Sequence, residues 1–278
     1  MTITAIAFTT FKEAVRQPIL YVLVALAMVL VLIVGSLPMF TFSVLDDLKM
    51  VKDMAVSTSI LVGLLVAIFA AVQGVYEEIE SWTVVTVLTK PVRRAEFVAG
   101  KLLGLVMLGG ALHLVMGVAF ILLTWVGMYS QLVESSNVYP EYLDVFWSQF
   151  AWPTADQLWR GFLMGFLHTL VLTAVAVTVC LRLPVVLAAV SYFVVFVVGH
   201  LMDGLAGLVQ GAPVLIKWAV GLLGVLLPNL EIYNVAHEVG LGQTITLAEM
   251  GWALLYTLTY ASAVMLLGVM LFRKREVV

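Results

Sequence analysis

Charged residues are scarce in this chain. Only 11% of its 278 residues are Asp, Glu, Lys or Arg, whereas 63% are hydrophobic, and the mean hydropathy is +1.11. Soluble globular proteins carry about 25% charged and about 45–50% apolar residues. The composition therefore excludes a soluble globular protein. It predicts an all-α integral membrane protein with a single transmembrane domain over residues 1–278.

Cysteine and basic clusters are also nearly absent. Cys180 is the only cysteine and lies inside an apolar run, so no disulfide framework is expected. The net charge is -3 without a basic tail, so nucleic acid is not expected as a partner. The first residues place Lys12, Glu13 and Arg16 before the long apolar run, and this order does not predict a cleavable signal peptide.

Six segments are apolar enough to cross a bilayer, for which a helix needs about 20 apolar residues. The predicted spans are residues 19–42, 55–75, 102–128, 159–181, 185–202 and 249–272. A further segment, residues 214–227, is shorter, carries Lys217 and is bounded by Pro213 and Pro228. Because apolar segments of about 10–14 residues usually re-enter or lie at the interface, we expect a re-entrant or interfacial helix here.

Lys and Arg predict the orientation, because cytoplasmic loops are enriched in them. A six-span arrangement with both ends inside leaves four of the 14 Lys and Arg residues outside, namely Lys49, Lys52, Arg160 and Lys217. A seventh span would move the basic segment FRKREVV to the outside. Six spans are therefore expected, and in that arrangement residues 3–15 form an amphipathic cytoplasmic helix on the membrane surface.

One internal stretch, YEEIESWTVVTVLTKPVRRAEFVAGK, collects much of the charge between Tyr76 and Lys101. Its acids come first, as suits a helix N-terminus, and Thr89 and Pro91 suit the start of a second helix. The stretch predicts a cytoplasmic helical hairpin between the second and third spans. Its apolar side chains, rimmed by charge, favour a protein-docking surface over an ordinary solvated loop.

The same stretch resembles the signature of type-2 ATP-binding-cassette (ABC) permeases. That pattern has an acid, a Thr, an apolar run ending in Leu, Lys-Pro-Val-x-Arg, and Glu-Phe-x-x-Gly-Lys. The matching residues are Glu78, Glu80, Thr83, Leu88, Lys90, Pro91, Val92, Arg94, Glu96, Phe97, Gly100 and Lys101. One departure is Trp82, where many relatives have Gly or Arg.

Two further motifs resemble the branch of this family associated with nitrous-oxide-reductase and multicopper-enzyme maturation. LLPNLEIYNV covers residues 226–235, and LFRKREV covers residues 271–277. With these motifs, the resemblance extends over essentially the whole chain in order.

The resemblance implies a six-span permease of a prokaryotic cytoplasmic membrane, with a coupling helix that docks on a separate ABC ATPase subunit. Two permease protomers, identical or different, would complete the transporter and export a substrate. The implied coupling residues are Glu77, Glu78, Glu80, Trp82, Thr83, Val85, Leu88, Lys90, Pro91, Arg94 and Glu96. ATP and Mg²⁺ would bind the partner, with no cofactor, metal or catalytic centre on this chain.

A phosphate loop is excluded because Ala95 and Leu102 replace its first glycine and its hydroxyl residue.

Histidines do not form a metal motif in the sequence, because His113, His168 and His200 fall on different segments without close pairing. His200 and Asp203 at the end of the fifth span either line an exit pathway or cap a broken helix.

One alternative function stays open. In it, a non-transporting scaffold passes ATPase-driven movement to a periplasmic partner through an aromatic-rich loop at residues 129–157.

Overall fold

The computed structural model describes residues 2–36, 44–81, 93–135, 146–209, 211 and 213–273. This part of the chain is helical and contains no strand. Its α-helices are α1 (Thr2–Val15), α2 (Pro18–Ser36), α3 (Val44–Ala71), α4 (Glu77–Glu80), α5 (Arg94–Ser135), α6 (Trp152–Cys180), α7 (Val185–Leu208), α8 (Val214–Leu226), α9 (Ala236–Gly240) and α10 (Leu247–Arg273). Val72–Tyr76 is a π-helical turn that joins α3 to α4, Phe146–Ala151 is a π-helical turn that leads into α6, and Glu231–Tyr233 is a 3₁₀ turn.

Five helical stretches in the described residues are long and apolar enough to cross a membrane. They are Leu48–Glu80, Arg94–Ser130, Phe146–Cys180, Val185–Leu208 and Leu247–Phe272. Two bent pairs can each add one span. The first pair bends by 61° between α1 and α2, and the second by 55° between α8 and Glu231–Gly240. The chain thus has five to seven candidate spans, a range that includes the predicted six.

α6 is the central helix of the bundle and packs against α3, α5, α7 and α10. In the most apolar 18-residue stretch of the span that contains α6, 78% is buried inside the protein. In the corresponding stretches of α7 and α10, only 22% is buried. Small residues allow the close packing at the centre: a Cβ added to Gly161 would lie 2.8 Å from a Val56 methyl on α3. α7 and α10 therefore lie at the periphery, with most of their apolar surface facing outward.

The predicted loop at residues 129–157 is wrong for most of its length. Residues 129–135 continue α5, and residues 146–157 form the π-helical turn and the first turns of α6. Trp125 stabilises this helical continuation, since its indole nitrogen donates to the Ala151 carbonyl at 2.9 Å. Its ring also packs edge-on against Trp147 and Trp152, with centroids 5.4 and 5.7 Å away. Aromatic ring contacts of this kind offset the local polarity that suggested a loop.

Two of the cations predicted to lie outside are engaged within the protein at the end of the bundle that carries this aromatic cluster. Lys52 is buried and donates to the Gln157 side chain at 2.9 Å. Arg160 donates to the Ile245 carbonyl at 2.7 Å and pairs with Asp156. These charges tie α3 and α6 to the segment before α10.

The motif LLPNLEIYNV connects α8 to α9 and is fixed by tyrosines of the last helix. The Tyr260 hydroxyl donates to the Leu226 carbonyl at 3.0 Å, and the Tyr256 hydroxyl accepts from the Asn229 amide at 2.8 Å. Tyr233, itself buried, lies 2.6 Å from the Thr257 hydroxyl. α8 has no buried residue, so this motif supplies most of the region's attachment to the bundle.

Candidate functional site

The predicted docking hairpin begins where α3 ends. α3 continues through the π-helical turn Val72–Tyr76 into α4 without a break, so that Leu48–Glu80 is one helical stretch. The expectation that Glu77, Glu78 and Glu80 begin a helix is therefore wrong, because they lie at the end of one. Acids at a helix C-terminus are unfavourable for the helix dipole, and a nearby cation offsets this cost for Glu78.

That cation is Lys101, on the first turns of α5. Its ammonium forms an ion pair with the Glu78 carboxylate. The Lys101 side chain is 5% exposed and the Glu78 side chain 25% exposed, so both charges are largely withdrawn from water. The Lys101 ammonium also lies 5.7 Å from the centre of the Phe97 ring. The ion pair thereby fixes the distance between the two legs of the hairpin, which are the end of α4 and the first turns of α5.

The second leg begins at Arg94, with a cap made by Glu96. The Arg93 amide donates to the Glu96 carboxylate at 3.0 Å, which is the reciprocal half of a capping box. The predicted cap at Thr89 and the start at Pro91 lie outside the described residues. Glu96 thus has a structural role at the beginning of α5, in addition to its place in the sequence motif.

Arg94 connects this leg to the end of the last helix. Its guanidinium donates to the Phe272 carbonyl at 2.9 Å and lies 5.4 Å from the centre of the Phe272 ring. Phe272 is fully buried and stacks on Phe97, with ring centroids 5.8 Å apart. A cation at the last carbonyls of a helix is favourable for the helix dipole. Arg94 therefore joins the hairpin to α10.

The sequence pattern does not predict Phe272 as a member of this site. Phe272 belongs to the motif LFRKREV. Nothing in that motif indicates a contact with Arg94, which lies 178 residues earlier in the chain. A long-range contact of this kind is visible only in the folded chain.

α1 crosses α5 beside the hairpin, at two glycines. A Cβ added to Gly100 would lie 2.7 Å from Ile6 Cβ, and one added to Gly104 would lie 2.5 Å from the Ala7 carbonyl oxygen. Glycine is the residue that lets two helix backbones approach so closely. On α1, Ala7, Thr10 and Ala14 are buried, and they form its packing face.

The predicted coupling residues divide into two groups. Glu77 and Glu80 are exposed at the end of the first leg, while Glu78, Arg94 and Glu96 make the contacts given above. The other predicted residues lie outside the described residues: Trp82, Thr83, Val85, Leu88, Lys90 and Pro91. The described residues thus contain both ends of the hairpin, and the segment that joins those ends carries most of the predicted docking side chains.

The candidate exit residues His200 and Asp203 have partners within the protein. The Asp203 carboxylate accepts from the Asn229 side chain at 2.8 Å, and Asn229 in turn accepts from the Glu231 amide at 3.1 Å. His200 bonds the Phe196 carbonyl of its own helix at 3.0 Å. The Asp203 contact anchors the chain reversal after α7, whereas the His200 bond stays within α7, and a role of the pair in an exit pathway stays a prediction.

Two histidines are buried in the bundle. Nδ1 of His113 bonds the Gly109 carbonyl at 2.9 Å, so that nitrogen carries the proton and Nε2 is an acceptor. Among the described residues, neither ring nitrogen of His168 has a hydrogen-bond partner. The His168 ring instead packs against His200, Phe196 and Tyr233. No group of three His, Cys, Asp or Glu residues in the described part is arranged to hold a metal ion.

Comparisons with known proteins gave no assignment. No protein-family model matches the chain, and no curated protein matches it.

Proposed function

We propose that this chain is the membrane permease subunit of an ABC transporter, in which segment 82–92 docks on a separate ATPase subunit. The proposal rests on the sequence motif, and one structural observation supports it. Both ends of the docking segment are held by specific contacts to the bundle, through Glu78–Lys101 on one side and Arg94–Phe272 on the other.

These attachments give a physical route for coupling. A force applied to segment 82–92 would act on α3 through α4, on α5 directly, and on α10 through Arg94. The close α1–α5 crossing adds a fourth helix to the same unit. A loop without such attachments would deform locally, whereas a braced hairpin moves the helices to which it is joined. ATP-driven closure of the partner would thereby reorient the spans and open the export pathway.

The length of α5 is in keeping with a hairpin that projects from the membrane. With 42 residues, it is about 63 Å long at 1.5 Å per residue, whereas the hydrocarbon core is about 30 Å thick. The Lys and Arg distribution orients the Arg94 end towards the cytoplasm. In that orientation the aromatic cluster of Trp125, Trp147 and Trp152 faces the opposite membrane surface, where amphipathic rings are favoured.

The peripheral helices suit a second permease protomer. α7 and α10 expose most of their apolar surface, and a bilayer-spanning dimer would bury part of it while lipid covers the rest. ATP and Mg²⁺ belong to the ATPase subunits in this proposal.

The test is purification of the tagged chain in mild detergent from the membranes of its own host. We expect vanadate-sensitive, Mg²⁺-dependent ATPase activity to co-purify with the wild type. Trp82→Ala and Glu80→Ala should each reduce the co-purifying activity, because anchors of this kind cost about 2 kcal/mol or more when truncated.

Trp218→Ala is the matched control, since Trp218 is exposed on α8, away from the hairpin. It should leave the co-purifying ATPase unchanged. If Trp82→Ala and Glu80→Ala both behave like this control, segment 82–92 is not the docking site.

A non-transporting scaffold is the second candidate, and one observation favours it. Trp152 is the most exposed member of the aromatic cluster, at 62%, so a large side chain is accessible at the end predicted to be periplasmic. Trp152→Ala discriminates the two functions. If the protein is a scaffold, Trp152→Ala should release a bound periplasmic protein while the ATPase activity is retained. If the protein is a transporter, neither the set of co-purifying proteins nor the ATPase activity should change.

A further inference from the structure

An apolar cavity of 530 Å³ lies between α1, α5 and α6. Its walls include Ala7, Phe8, Leu103, Met107, Gly110 and Phe166. Phe8, Leu103 and Met107 are each about half exposed, so the cavity opens at the outer surface of the bundle. In a membrane protein, such an opening faces lipid.

The cavity extends along the membrane-crossing part of α5. Leu103 and Gly110 are separated by two turns, or about 10 Å along the helix axis. Phe166 of α6 forms the inner wall beside Gly110, because a Cβ added to Gly110 would lie 3.4 Å from its ring. The site is therefore an elongated apolar groove that is bordered on one side by α1.

A positive charge lies beside the wall that α1 contributes. The Lys12 ammonium lies 4.8 Å from the centre of the Phe8 ring, which is itself a cavity wall. Lys12 is exposed, as is Arg16 in the turn that follows α1. Glu13, the nearest acid in sequence, lies about 140° around the helix from Phe8 at 100° per residue.

We propose that this cavity binds one acyl chain of an anionic phospholipid, whose negatively charged headgroup lies at Lys12. An unfilled cavity would forfeit the dispersion contacts of its lining atoms, and a flexible hydrocarbon chain can supply them. Lipid tails are as apolar as leucine, so the chain fills the groove without selecting a lipid class. Selection comes from Lys12, since one Lys near a membrane surface is worth about 1 kcal/mol towards anionic lipid. The proposal does not depend on transport or on an ATPase.

The experiment is native mass spectrometry of the delipidated full chain in detergent, titrated separately with phosphatidylglycerol and phosphatidylcholine. We expect saturable binding of one lipid, with phosphatidylglycerol bound about fivefold more tightly. Gly110→Leu places a side chain in the cavity and should weaken both lipids about tenfold, because it displaces two or more buried methylenes. Lys12→Ala should abolish the preference for phosphatidylglycerol and leave the phosphatidylcholine affinity unchanged.

Two variants are matched controls. Gly127→Leu changes the same helix where no atom lies within 4 Å of an added Cβ, and Lys217→Ala removes an exposed Lys from α8. Both should bind the two lipids like the wild type. The proposal is overturned if Gly110→Leu binds as tightly as Gly127→Leu, or if the wild type shows no saturable site. Lys12 is exposed, so its variant tests the headgroup contact even if Gly110→Leu does not fold, and an unchanged lipid preference would equally overturn the proposal.

Discussion

The Glu78 carboxylate and the Lys101 ammonium form an ion pair that joins the end of one membrane-crossing helix to the start of the next. The residues are 23 positions apart in the chain, and segment 82–92 lies between them. Since both side chains are largely buried, removal of either partner leaves a charge with little access to water. The first prediction concerns this pair.

Reversal of one charge should destabilise the protein, and reversal of both should restore much of the loss. Breaking a buried pair from one side costs about 3–5 kcal/mol, less where solvent reaches the remaining group, as at Glu78. Glu78→Lys and Lys101→Glu should each lower the Tm in detergent, whereas the double variant should recover. A double variant no more stable than the single ones would show that the two residues do not interact.

Arg94→Lys should weaken the contact between the hairpin and α10 although the charge is kept. Lysine lacks the planar fork that donates to the Phe272 carbonyl while lying over its ring. We expect a loss of about 1–2 kcal/mol in the free energy of unfolding, measured by chemical denaturation in mixed micelles. The control is Arg182→Lys, at an exposed position, and an equal loss in both variants would contradict the assigned contact.

Gly104→Ala and Gly127→Ala should change stability in opposite directions. An added methyl at Gly104 would lie 2.5 Å from the Ala7 carbonyl oxygen, so α1 must shift, whereas at Gly127 it meets nothing within 4 Å. Overpacking costs about 1–3 kcal/mol, while Gly→Ala in an open helix position gains about 0.5–1 kcal/mol. Thermal melts of the two variants in one detergent measure the difference. A stabilised Gly104→Ala variant would mean that α1 does not cross α5 at this glycine.

The orientation can be tested with single cysteines. Cys180 is buried, so Cys180→Ala gives a cysteine-free background with little expected change. A membrane-impermeant maleimide added to intact cells should label Pro140→Cys but leave Arg93→Cys unlabelled until the cells are opened. Labelling of Arg93→Cys from outside would reverse the topology.

The number of spans requires a second reporter. Alkaline phosphatase fused after Val278 should be inactive if both chain ends are cytoplasmic, as six spans demand. An active fusion would show an odd number of spans, with α8 and Glu231–Gly240 as a broken seventh one.

His168→Leu should stabilise the protein. The imidazole is fully buried, and among the described residues neither ring nitrogen has a partner. A buried unsatisfied polar group costs about 1–3 kcal/mol, and an apolar side chain of similar volume removes that cost. We expect a higher Tm for His168→Leu and no change for His237→Leu, which is at an exposed position. A lower Tm for His168→Leu would show that the ring has a stabilising interaction.

Composition and hydrophobic runs were sufficient to predict an all-helical membrane protein, because a bilayer requires every backbone polar group to be paired within the chain. The predicted spans at residues 55–75, 102–128, 159–181, 185–202 and 249–272 each fall on a long apolar helix of the structure. Their ends were less predictable. Residues 146–157 mix aromatic with polar residues and include a proline, yet they are helical, and Trp125 packs and bonds across to them.

In the hairpin, the sequence alone placed the charged motif between two spans and showed its resemblance to a permease signature. It did not reveal that Glu78 pairs with Lys101 or that Arg94 meets Phe272. Local patterns report spacing along one helix, whereas these contacts depend on how separate helices cross. The same reason applies to α1, whose packing on Gly100 and Gly104 is a property of two distant segments. Local sequence thus determined the elements and their membrane character, and tertiary packing decided which charges are buried together and which helices the hairpin braces.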